Sequence, residues 1–89
     1  MSGNESMNYQ LTQHARLVLA ERGIELEWLE QTLDEPQRTT PDPNDPQVTR
    51  YFRVIPAFGG RVLRVAVNTT VQPVRVVSVF FDRTQKGKP

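Results

Sequence analysis

The chain has 89 residues, 37% of them hydrophobic and 24% charged, which allows one small domain with a modest core and leaves no room for a second. It has no cysteine and one histidine, which excludes disulfides, a sulfur nucleophile and the common cysteine-based zinc sites. A net charge of +1 hides an uneven distribution: residues 1–46 carry three arginines against nine carboxylates, a balance of −6, and residues 47–89 carry eight cations against Asp82 alone, a balance of +7.

Residues 1–8 are small and polar without periodicity and read as a disordered tail. Thr12 precedes the helix-favouring run QHARLVLAER and Gly23 follows it, so a helix is predicted over 13–22 with Thr12 as N-cap and Gly23 just past its end. Leu26, Leu29 and Leu33 recur at three- and four-residue spacing, which predicts a second helix over 26–34 ended by Pro36. The tract from Pro36 to Pro46 holds four prolines and reads as a loop with a short edge strand at Gln37–Thr40. Three β-like runs follow at 48–57, 61–69 and 73–82, joined by short turns around Gly59-Gly60 and Asn68–Gln72. The folded domain is expected over 9–84, with residues 85–89 as a basic tail. No apolar run approaches the roughly 18 residues of a membrane span and the first residues lack a basic-then-apolar leader, so a soluble, cytoplasmic protein is expected.

Alternation along the strands separates two faces. Leu63, Val65 and Val67 form an apolar row for the helices to cover, which leaves Arg64 on the opposite surface with some combination of Tyr51, Arg53 and Arg75. The last strand is apolar on both sides, with Val74-Val76-Phe80 and Val77-Val79-Phe81, as suits a central strand or one whose second face is covered. The expected architecture is α+β, two N-terminal helices packed on one face of a three- to four-stranded antiparallel sheet.

Six of the eight C-terminal cations are arginine, whose planar fork suits phosphate or carboxylate. His14 is the one side chain suited to proton transfer near neutrality, and it shares a helical line with Val18 and Arg22. It serves either as a general base or as a packed residue bonded to a backbone carbonyl. RNA cleavage without a metal needs a base, an acid and fixed positive charge, roles that His14, Tyr51 and the arginines can fill chemically. The candidate catalytic residues are His14, Arg22, Tyr51 and Arg64, and the candidates for holding phosphates are Arg16, Arg53, Arg75 and Arg83. No cofactor or metal is expected. Each strand arginine has the plainer reading of a solvated edge device, and Tyr51, Phe52 and Phe58 belong either to base stacking or to the core.

The pattern LTQHARLVLAERGIELEWLEQTLDEP, followed by RYFRVI, RVLRVAVN and VVSVFFDR, resembles the bacterial family known as domain of unknown function 4258. That family is similar to BrnT toxins and more distantly to RelE/ParE-type toxins, small domains that act on messenger RNA without metal and are neutralised by an antitoxin. The resemblance rests on His14, Ala15, Arg22-Gly23-Ile24, Leu33, Pro36, Arg64-Val65 and Asp82-Arg83 and spans residues 9–83. It implies a RelE/BrnT-like fold, a toxin-derived endoribonuclease, RNA or the ribosome and an antitoxin-like protein as partners, and no membrane. Two alternatives stand beside it: a non-catalytic module that recruits an acidic partner protein, and a homodimer that pairs through the last strand.

Overall fold

Thr12 turns the chain from strand into helix. Its backbone is extended, and its hydroxyl accepts a hydrogen bond from the Ala15 N–H at 3.1 Å, satisfying a donor that a helix start leaves open. The structure, a computed structural model, describes residues 8–82, in which strand β1 (Tyr9–Leu11) leads through Thr12 into helix α1 (Gln13–Arg22). Gly23 ends α1 at φ 64°, where a side chain would be strained. Its N–H and that of Ile24 bond back to Ala20 and Leu19, closing the helix end. Helix α2 (Leu26–Asp34) follows at once and buries Leu29 and Leu33, while Leu26 stays exposed.

Beyond α2 run β2 (Arg38–Asp42), β3 (Asp45–Ile55), a short 3-10 turn at Pro56–Phe58, β4 (Arg61–Asn68) and β5 (Val74–Asp82). The strands form one sheet in the order β1-β5-β4-β3-β2, with β1 parallel to β5 and every other pair antiparallel. This corrects the expected two N-terminal helices on a three- to four-stranded antiparallel sheet of RelE/BrnT type. The sheet has five strands and is mixed, and its first strand precedes both helices. Three residues of β1 are too short to show alternation, and they pair with Val74–Val76 near the other end of the chain. The proline tract is also more ordered than a loop. β2 and β3 form a hairpin turning at Pro43-Asn44, where the Asp42 side chain accepts the Asn44 N–H at 2.7 Å, and Pro41 is tolerated because β2 is an edge strand.

The helices cover the face of Leu63, Val65 and Val67, all fully buried, together with Ile55, Val74, Val76 and Val79. α1 lies over β5, and α2 lies over β3 and β4. At the last strand, β4 advances from Ala66 to Val67 while β5 advances from Ser78 to Val76, so Val77 is a bulge. The bulge breaks the expected Val74-Val76-Phe80 row: Val74 and Val76 are buried on the helix side, whereas Phe80 pairs with Arg64 and is exposed. Residues 1–7 and 83–89, and so nearly all of the N-terminal tail, the basic tail and Arg83, lie outside the described residues. No helix is long and apolar enough to cross a membrane.

Candidate functional site

The face of the sheet turned away from the helices is built by register. Arg38 of β2 pairs with Phe52 of β3, Phe52 with Arg64 of β4, and Arg64 with Phe80 of β5. Arginine and phenylalanine thus alternate in a single row across four strands, and with about 4.8 Å between strands the row is about 14 Å long. The Arg38 guanidinium lies 4.5 Å from the Phe52 ring centre and that of Arg64 lies 5.0 Å from Phe80. These are cation–π distances. Phe52 is 2% exposed, and Val48, Val62 and Ala66 on the same side of the sheet are buried with it. Phe80, at 39%, keeps a large apolar surface open to solvent.

Arg50 and Arg75 share this face with Arg38 and Arg64, because they pair with Ala66 and Asn68 of β4. Two carboxylates accompany the four guanidinium groups. Asp42 meets Arg50 at 3.3 Å, and Asp82 lies 3.9 Å from Arg64. The Asn44 N–H first, and Arg50 beside it, hold the Asp42 carboxyl below its ordinary range. Glu21, Glu27, Glu30 and Asp34 lie on the two helices, on the far side of the sheet. The carboxylates thus concentrate on the helix side, whereas the arginines of the described residues divide evenly, with Arg38, Arg50, Arg64 and Arg75 on the open face and Arg16, Arg22, Arg53 and Arg61 on the helix side.

The structure brings some of the candidate residues together and separates others. Arg64 and Arg75 share the open face, whereas Tyr51 and Arg53 lie on the helix side, opposite Val65 and Leu63. Tyr51 packs against the core, and Arg53 donates a 2.7 Å hydrogen bond to the Glu35 carbonyl, capping the end of α2. Expecting them beside Arg64 was an error of parity, since adjacent residues in a strand face opposite ways. His14, Arg16 and Arg22 are exposed on α1, with Arg22 in its last turn. Arg83 lies outside the described residues.

A cleft of about 110 Å³ lies where α1 ends beside β5, lined by Arg22, Ile24, Arg61, Phe58, Phe80 and Phe81. Phe58 and Phe81 stack at 4.4 Å between ring centres, and Trp28 packs on both. The Arg61 guanidinium sits 5.3 Å from the Phe58 ring centre. Sequence reasoning missed Arg61 as a site residue; its position just after Gly59-Gly60, at a hairpin base, was the one available signal. Among the described residues no group of three histidines or carboxylates could hold a metal ion.

A family model for a domain of unknown function, DUF4258, matches residues 11–81, a stretch holding both helices and the whole Arg-Phe row. The chain belongs to the DUF4258 family. No curated protein and no solved structure matches it. The DUF4258 match ends at Phe81, so it covers the cleft-lining residues as well as the open face.

Proposed function

We propose that this DUF4258 domain binds single-stranded RNA on the open face of its sheet. What supports the reading is the Arg38-Phe52-Arg64-Phe80 row, in which guanidinium forks for phosphates alternate with aromatic rings and the last ring is exposed. Arginine forks bind phosphate oxygens in pairs, and bases stack on aromatic rings or on guanidinium planes. An acidic protein partner would use the charges but would gain little from an exposed ring set among them. Arg75, exposed on the same face, extends the cationic surface. Helix α2, with Glu27, Glu30 and Asp34 and no cation, disfavours a polyanion over its part of the opposite side.

Binding without cleavage is favoured, because Tyr51 and Arg64 project from opposite faces of the sheet and cannot act on one phosphate. A toxin-type endoribonuclease would have to draw its acid and base from elsewhere.

The test is fluorescence anisotropy of a labelled single-stranded RNA, with polyglutamate of matched charge as competitor. The expected result is a binding constant that falls with salt at a log–log slope of about −2, as about three phosphate contacts give on a single strand. Phe80→Ala is expected to weaken binding by about 1–3 kcal/mol, the worth of one stacked base. The RNA is expected to remain intact throughout. Preference for polyglutamate, or indifference to Phe80→Ala, would refute the reading.

A further inference from the structure

Phe80 ends the row of arginines and rings on the open face and also lines the cleft, which lies on the helix side with Arg22, Arg61 and Phe81, so a strand that leaves the row at Phe80 reaches the cleft by turning round the edge of β5. The cleft lies beside the part of β5 that β1 leaves unpaired: β1 pairs with β5 only at Val74–Val76, and residues 78–81 face no further strand on that edge among the described residues. Two arginines line it from different elements, Arg22 of α1 and Arg61 of β4, the latter with its guanidinium 5.3 Å from the Phe58 ring centre, and no carboxylate is among its lining residues. Ile24 and the phenylalanines supply an apolar floor.

From this geometry we propose that the cleft holds the terminal phosphomonoester of the RNA strand, with Arg22 and Arg61 on its oxygens and the terminal sugar or base against the phenylalanines. This deepens the RNA-binding reading and rests on it. An internal phosphodiester carries one charge and two free oxygens, whereas a terminal phosphomonoester carries close to two charges and three oxygens and so suits a pair of forks better. The apolar floor has no use for inorganic phosphate but offers a surface to the sugar or base that carries the terminal phosphate.

Trp28, the only tryptophan, packs on Phe58 and Phe81 and serves as a built-in reporter of what enters the cleft. The experiment titrates the full chain, by Trp28 fluorescence, with one oligoribonucleotide sequence in three forms: 5′-phosphorylated, 3′-phosphorylated and hydroxyl at both ends. One phosphorylated form is expected to bind about ten- to a hundredfold tighter than the hydroxyl form, the usual worth of a charge-assisted hydrogen-bonded contact. Arg22→Gln combined with Arg61→Gln, both at exposed positions, is expected to abolish that difference, so that on the double variant all three forms bind with one affinity. Circular dichroism checks that the double variant folds, and if it does not, the comparison of strands on the native chain decides alone. Equal affinity of the native chain for all three forms overturns the cleft assignment while the sheet-face reading stands. Failure of every form to bind overturns the sheet-face reading and the cleft with it. Inorganic phosphate that reproduces the Trp28 response at the same concentration marks the cleft as an adventitious anion site and also overturns the assignment.

Discussion

Single side chains tie the layers of this domain together, and Tyr9 is the clearest case. Its hydroxyl donates to the Glu30 carboxylate at 2.8 Å, joining β1 to α2. Burial, the bond to Glu30 and the charges of Glu30 and Asp34 push its pKa up from 10.0 to about 12. A phenol whose folded pKa is raised contributes stability that is complete below pH 10.0 and declines as pH climbs towards 12. Denaturant unfolding should therefore find the native chain more stable than Tyr9→Phe by about 1–2 kcal/mol at pH 8, with the gap closing above pH 10. A gap that stays constant to pH 11 would contradict this assignment. Tyr9 was invisible in the sequence as a partner, because nothing local links it to a carboxylate on the second helix. At the same scale Arg64 was legible and Arg53 was not: one strand position separates a residue on the open face from one bound to a helix end, and only the observed register decides which is which.

Among the elements, both helices could be read from their punctuation. Thr12, Gly23 and the Leu29–Leu33 spacing are local signals, and α1 and α2 begin and end where those signals place them. Thr12 proves to do more than cap. Its N–H donates to the Val76 carbonyl at 3.1 Å and its hydroxyl lies 3.5 Å from the Val77 carbonyl, so it also holds α1 against the bulge of β5. Thr12→Ala is accordingly expected to cost about 1–2 kcal/mol, the upper part of the range for a lost N-cap, read as a fall in the midpoint of thermal unfolding. An unchanged midpoint would show that the cap contributes nothing to the fold. The strands were harder to read. β1 has too few residues for a period, its parallel pairing is non-local, and the prolines around β2 argue against any strand except an edge. The Val77 bulge shifts the parity of β5 midway, so alternation read along the strand placed Phe80 in a row with Val74 and Val76.

In the whole molecule, most carboxylates gather on the helix layer, while the arginines divide between the two sides of the sheet. The acidic N-terminal half supplies both helices, and the basic C-terminal half supplies most of the arginines of the open sheet face. That much followed from counting residues. The Arg38-Phe52-Arg64-Phe80 row did not, because it draws on four strands whose relative registers are set by two hairpins and a bulge. Nor did the cleft, whose lining comes from α1, β4, β5 and the turn between β3 and β4. The family match brings no activity with it, so the case for RNA rests on the physical character of this face, fixed positive charge interleaved with rings. The most direct test is amide chemical-shift mapping by NMR on the full chain titrated with a short single-stranded RNA. The shifts should fall on Thr40, Arg50, Phe52, Arg64, Ala66, Ser78 and Phe80, leaving the exposed positions of α2 unmoved. Shifts centred on α2, or none at RNA concentrations that saturate ordinary RNA-binding domains, would contradict the assignment of the open sheet face.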